Sequence, residues 1–128
     1  MLVWEHIREA LEQLHAKGFA YSDIKPGNIC LTEDGASTVL IDLGSVARFG
    51  ERTSSTQAYV PRDMARGRAS VALDWWMLAM TLAEKGCGPD HMLDISGTQE
   101  ASKAELRDHL SVRLDPAIWE ALKPKLEG

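Results

Sequence analysis

The stretches Tyr21-Ser22-Asp23-Ile24-Lys25-Pro26-Gly27-Asn28 and Asp42-Leu43-Gly44 decide how this chain reads. The first is polar and broken by Pro and Gly, with a short aromatic run, Phe19 to Tyr21, before it and an apolar run, Ile29 to Leu31, after it. A third run, Thr38 to Ile41, is β-branched and uninterrupted, and it leads into the Asp-Leu-Gly triplet. Three short strands are predicted. Glu33-Asp34-Gly35 is a turn sequence between the second and third. The loop between the first and second is too long for a tight hairpin, and it carries charges that a simple turn does not need.

Working outward, Val3, Ile7, Ala10, Leu11 and Leu14 recur at spacings of three and four within residues 2 to 17, which predicts one amphipathic helix closed by Gly18. From Gly44 to Ser70 the chain is rich in Ser, Thr, Arg and Gly without lasting periodicity, and a loop of that length in a compact domain is usually functional or disordered. Asp74 opens an apolar segment, Trp75 to Ala83, read as a helix buried on most sides and ended at Gly86-Cys87-Gly88-Pro89. Trp75, Trp76, Leu78 and Leu82 read as core. Further helices are predicted around Ser102 to Leu110 and Pro116 to Leu122, with a tail fraying toward Gly128.

The chain has 128 residues, 45% hydrophobic, enough for one domain with a real core and too few for two. Fourteen Lys and Arg against nineteen Asp and Glu leave a net charge of -5, so neither nucleic acid nor an anionic membrane is an expected partner. Two cysteines, Cys30 and Cys87, make neither a disulfide scaffold nor a zinc pair, which suits a reducing interior. No apolar run is long enough to span a membrane, and Glu5, His6 and Arg8 interrupt the stretch a signal peptide needs. A soluble, cytoplasmic protein is expected. His6, His15, His91 and His109 lack metal-ligand spacing and are assigned helix or surface positions without further role.

The Asp-x-Lys-Pro-x-Asn loop followed by Asp-Leu-Gly resembles the catalytic loop and metal-binding triplet of eukaryotic-type Ser/Thr protein kinases. The order of elements, helix, strand, loop, strand, turn, strand, triplet, Ser/Thr-rich segment and apolar helix headed by Asp, resembles that family's C-terminal lobe. The resemblance implies an α+β, mainly helical fold with short strands around the catalytic loop. It covers 1–128 as a partial kinase-like domain, with a catalytic loop at 21–28, a triplet at 42–44 and an activation segment at 42–63. It implies Asp23 as catalytic base and Lys25 as the charge that neutralises the γ-phosphate. Asn28 and Asp42 would be the magnesium ligands and, with Cys30 on the floor under the adenine, the ATP contacts. Read without the resemblance, Asp42 is a strand-end turn cap, and Cys30 is a small buried apolar residue.

Tyr21, Gly44, Asp63 and Asp74 would be structural. Asp74 would accept backbone N–H groups of the catalytic loop, although a plain helix N-cap predicts the same residue. Thr56-Gln57-Ala58-Tyr59 resembles the T-x-x-Y of Ser/Thr kinases, and Pro61-Arg62-Asp63 stands where the family has A-P-E, with Arg113 as the arginine offered to pair Asp63. Departures accompany the match. Ser22 replaces the arginine that grips a phosphate on the activation segment, so control by phosphorylation at Thr53, Ser54, Ser55 or Thr56 is not expected. Leu43 replaces the usual Phe and would pack under Asp42. No Gly-rich loop, strand lysine or αC glutamate is found upstream.

Three functions follow. The chain reads as the C-terminal lobe of a Ser/Thr kinase that transfers the ATP γ-phosphate to protein hydroxyls when completed by an N-terminal lobe. The alternatives are a non-catalytic kinase-like interaction module and an unrelated α+β domain. Under the first reading the partners are a protein substrate and an N-terminal lobe or partner protein on an apolar face around Cys30, Leu31 and Leu43.

Overall fold

A computed structural model describes residues 2–34, 36–56, 59–64, 67–86 and 102–127. The first helix, α1 (Leu2–Ala16), buries Trp4, Ile7 and Leu11 and leaves Glu5, Glu9, Glu12 and Gln13 in water, the separation its periodicity predicts. Ala10, counted on the apolar stripe, is exposed, and Trp4 takes an inner place beside Trp75 with ring centroids 6.4 Å apart. Gly18 ends the helix at φ +86°, its N–H on the His15 carbonyl at 3.0 Å, in a backbone region that a Cβ disfavours.

Among the described residues, four short strands form two antiparallel pairs. β2 (Ile29–Leu31) and β3 (Thr38–Leu40) pair in the register Ile29↔Leu40, Cys30↔Val39 and Leu31↔Thr38. β1 (Phe19–Ala20) pairs with β4 (Ala47–Arg48), a strand inside the Gly44 to Ser70 stretch, whose lack of periodicity predicts a loop. Two-stranded ribbons are marginal alone, so each must be held by its neighbours. α1 packs on β1 and β3, and His6 Nδ1 accepts the Thr38 N–H at 2.9 Å. His6 therefore has a structural task that its sequence context did not indicate.

The core is organised around α2 (Val71–Gly86). Leu73 to Ala83 are buried without a break, and Trp76, Met77, Leu78, Ala79 and Met80 are fully so. Within it the buried Thr81 hydroxyl donates to the Met77 carbonyl at 2.8 Å. It begins three residues before Asp74, with the Ser70 hydroxyl oxygen accepting the Leu73 N–H at 3.1 Å, so Asp74 is not the N-cap. α3 (Lys103–Arg113) is N-capped by Ser102, whose hydroxyl oxygen accepts the Glu105 N–H and whose O–H donates to the Glu105 carboxylate. α4 (Pro116–Leu122) is capped by Asp115 and has Pro at its start. The tail does not fray: residues Lys123–Glu127 form a 3₁₀ turn that buries Leu126, while Lys125 lies 4.4 Å from the Trp75 ring centroid. Cys87, His91 and the Gly-Pro breaker after Gly86 lie outside the described residues.

Candidate active site

The polar loop is hung from α2 by one carboxylate. Asp74 is fully buried, and its two oxygens accept the Tyr21 N–H at 2.8 Å and the Ser22 N–H at 2.7 Å. His15 Nε2 lies 2.8 Å from the same carboxylate, with its ring edge-on to Trp75. Sequence reasoning gave His15 no role. A contact spanning 59 positions leaves no local signal. Held this way, Ser22 adopts φ +79°, an unfavourable angle for a residue with a Cβ that persists because both neighbouring N–H groups are pinned. Ser22 is buried, and its carbonyl accepts the Ser55 hydroxyl.

Asp23 follows directly and is 18% exposed at its side chain. One of its oxygens, Oδ1, takes both the Thr56 N–H at 2.9 Å and the Thr56 hydroxyl at 2.8 Å. Lys25 Nζ donates to Thr56 Oγ1 at 3.1 Å and stands 3.7 Å from the other oxygen, Asp23 Oδ2. Thr56 thus ties the base candidate to the cation candidate. Asn28 is buried in the 3₁₀ turn Pro26–Asn28, and its Nδ2 donates to the Asp23 carbonyl at 2.8 Å and leans on Oδ2 at 3.5 Å. Its amide oxygen is left as an acceptor.

The triplet is brought up by the β2–β3 pair, since the Asn28 carbonyl accepts the Ile41 N–H at 2.9 Å. Tyr21 closes the same gap from inside, its hydroxyl against the carbonyls of Ile41 and Asp42, the latter at 2.9 Å. Burial, and then the negative charges of Asp42, Asp23 and Asp74, push the Tyr21 phenol up to about 12. Asp42 sits at φ +54°, the second non-Gly residue at positive φ among those described. Its Oδ1 accepts the Gly44 N–H at 3.1 Å, and a Cβ on Gly44 would approach that oxygen to 3.1 Å, so the glycine leaves the carboxylate room. The exposed Asp42 side chain and the Asn28 amide oxygen are the hard oxygen donors magnesium prefers.

Several expectations change here. Leu43 does not pack beneath Asp42: the left-handed Asp42 turns the chain outward into a turn closed by Val46 N–H on the Leu43 carbonyl, and Leu43 is 68% exposed. Cys30 is exposed, not buried, and faces Val39 across the ribbon. With Val39 and Ile41, also exposed, these residues leave the outer side of the β2–β3 pair apolar and open. Asp63 has a partner different from Arg113, the Lys103 N–H at 2.8 Å, and Arg62 stands 3.8 Å from Glu105, so this tripeptide grips the start of α3. Gln57 and Ala58 lie outside the described residues, but Thr56 and Tyr59 flank them with the Tyr59 N–H on the Thr56 carbonyl at 3.1 Å.

Comparison with known proteins gives a consistent result. The family model described as "Protein kinase domain" matches residues 2–126. The chain is 34% identical over 97 residues to the serine/threonine-protein kinase AtPK1/AtPK6 of Arabidopsis thaliana, covering 71% of this chain and 21% of that protein. It is 34% identical over 122 residues to the human cAMP-dependent protein kinase catalytic subunit PRKX, covering 88% of this chain and 34% of the relative. The solved Cydia pomonella granulovirus kinase PK-1 superposes with a TM-score of 0.57 at 20% identity, over 94% of this chain and 55% of that one. The chain therefore spans about a fifth to a third of these curated relatives and about half of the structural neighbour.

Proposed function

This chain belongs to the protein kinase domain family, and from that premise we propose that it supplies the phosphoryl-transfer half of a Ser/Thr protein kinase site. The observation that carries the reading is the cluster of Asp23, Lys25 and Thr56 with Asn28 beside it and Asp42 tied in through the Tyr21 hydroxyl on its carbonyl, around residues 21–28, the catalytic loop of the proposal. Asp23 Oδ1 is committed to Thr56, so Oδ2 is the oxygen with capacity for a substrate hydroxyl. As the Ser or Thr oxygen forms its bond to the γ-phosphorus, its proton passes to that carboxylate, and the bond to the departing ADP oxygen breaks. Lys25, already beside Oδ2, places a positive charge where the transferred group gathers negative charge.

Asn28 and Asp42 are the residues that would hold Mg²⁺, which when bound with ATP shields the phosphate charges. Tyr21, Gly44, Asp63 and Asp74 position rather than react: they fix the loop, the triplet and the segment that carries Thr56. The open apolar face formed by Cys30, Val39, Ile41 and Leu43 supports a second lobe or partner protein covering this side of the site. The same face supports the alternative, a non-catalytic interaction module. A cytoplasmic setting belongs to the same proposal. No helix among the described residues is long and apolar enough to cross a membrane.

The nucleotide side is tested by adding Mn²⁺ with ATP to isotope-labelled chain and reading paramagnetic broadening of amide resonances. Selective broadening at Asn28, Asp42 and Gly44, removed by Asp42→Asn, is the expected result. Broadening centred elsewhere, or none that needs the nucleotide, rejects the metal assignment.

A further inference from the structure

Arg48, Arg52 and Arg68, on the segment after the triplet, are not used by the chemistry above. Arg52 and Arg68 face each other as an isolated antiparallel bridge pair, which puts both side chains on one face. The backbone around them is firmly tied. Thr53 N–H donates to the Gly67 carbonyl at 3.0 Å, Ala69 N–H to Glu51 at 2.9 Å and Gly50 N–H to Ala69 at 2.9 Å. Arg48, one turn earlier, stacks over Phe19 with 5.7 Å to the ring centroid. All three are exposed, and none appears in an ion pair among the described residues. Glu51 is the acidic residue of this turn, and its Oε1 accepts the Arg48 N–H at 3.0 Å, which leaves the patch positive by two charges.

Like charges placed opposite each other on a ribbon are destabilising, and the chain as a whole carries -5. A facing arginine pair in an acidic protein therefore has a use for an external anion, whose oxygens it can grip in bidentate fashion. Arg68 spends one N–H on the Gly50 carbonyl at 3.1 Å and keeps the rest of its donors. Arg52 lies four residues before Thr56, which is itself bonded to Asp23. At the maximum extension of a chain this is at most ~14 Å, a span that a peptide with its hydroxyl at Asp23 covers in about four residues.

We propose that the Arg52–Arg68 pair, aided by Arg48, selects protein substrates that carry Asp or Glu within about four residues of the target hydroxyl. The proposal rests on the reading of Asp23 as the substrate-side carboxylate. Carboxylate-bearing peptide is favoured over nucleic acid because the chain as a whole carries -5 and three arginines do not form a phosphate-tracking stripe.

The test is fluorescence anisotropy with the purified chain and labelled peptides in which one Ser is flanked by Glu, by Ala or by Lys. The acidic peptide is expected to bind at least about fivefold more tightly than the Ala-flanked one at low salt, with the difference shrinking at high salt. Arg52→Gln with Arg68→Gln should erase that preference, and Arg52→Glu with Arg68→Glu should transfer it to the Lys-flanked peptide. Equal binding of acidic and neutral peptides, an acidic preference that survives the double Gln variant, or tighter binding of oligothymidylate than of the acidic peptide overturns the proposal. The double variant should retain the Mn²⁺-ATP broadening at Asn28 and Asp42. Failure of the charge preference is thereby separated from failure of the nucleotide site, which that broadening reads independently.

Discussion

Replacing Asp74 by Ala should loosen the loop that carries Asp23 more than any exposed carboxylate change can. In the native chain this fully buried side chain accepts the Tyr21 and Ser22 N–H groups and meets His15 Nε2. Truncation leaves two backbone donors buried without an acceptor, at about 1 to 3 kcal/mol each. Relief of the carboxylate's own desolvation offsets part of this, so a loss of about 2 to 4 kcal/mol is expected. For a domain this size about 1 kcal/mol shifts the midpoint by roughly 4 °C, which puts the fall near 8 to 16 °C. The assay is thermal and urea unfolding followed by circular dichroism, with Asp108→Ala on the exposed face of α3 as reference. Asp74→Asn should fall between, because an amide oxygen can accept one of the two N–H groups while its NH₂ opposes the other. If Asp74→Ala unfolds within about 0.5 kcal/mol of Asp108→Ala, Asp74 does not suspend the loop and the reasoning fails.

Tyr21 supplies a pH test. Its phenol is raised from 10.0 to about 12 in the folded chain, so stability from this group is complete below pH 10 and is lost as pH rises toward 12. Wild type should therefore lose about 2 kcal/mol relative to Tyr21→Phe across that interval, and parallel curves would place the phenol in water. Gly44→Ala, whose Cβ would lie 3.1 Å from Asp42 Oδ1, should weaken Mg²⁺-dependent nucleotide binding several-fold in calorimetric titration with little change in melting temperature. An unchanged affinity would mean that Asp42 tolerates the crowding. Thr56→Val removes the hydroxyl between Asp23 and Lys25 but keeps the backbone N–H bond, so amide shifts of residues 23 to 25 should move while unfolding stability falls by less than about 1.5 kcal/mol; unmoved shifts would mean the hydroxyl does not join the two side chains.

Much of this arrangement was legible in the sequence. Asp23, Lys25, Asn28 and Asp42 were singled out by the resemblance of Asp-x-Lys-Pro-x-Asn and Asp-Leu-Gly, in that order along the chain, to a kinase catalytic loop and triplet; the Pro and Gly between short apolar runs marked only a polar loop. The run Trp75 to Ala83 could be read as core because no polar face interrupts it. What escaped depends on contacts between distant positions. β4 is two residues long and exists only as a partner for β1, so no periodicity marks it. His15 looked like the polar end of an amphipathic helix until Asp74 was placed against it. Thr56 was noticed for its spacing from Tyr59, yet its bonds to Asp23 and Lys25 follow from how the loop after the triplet folds back. Leu43 was expected to pack beneath Asp42 because an apolar residue beside a polar loop suggests burial, and the left-handed turn at Asp42 directs it to solvent, whereas exposed Cys30 fits the open apolar face expected around it.

The most direct measurement is γ-phosphate transfer from radiolabelled ATP to a Ser-containing peptide by a longer protein in which this chain is joined to an ATP-covering lobe, wild type against Asp23→Asn. Loss of a proton acceptor at the reacting oxygen is worth about 10²- to 10⁴-fold, so transfer should drop by at least about a hundredfold while nucleotide affinity changes less than about twofold. Transfer that persists within tenfold, or a matching loss of nucleotide affinity, would contradict Asp23 as the group that receives the substrate proton.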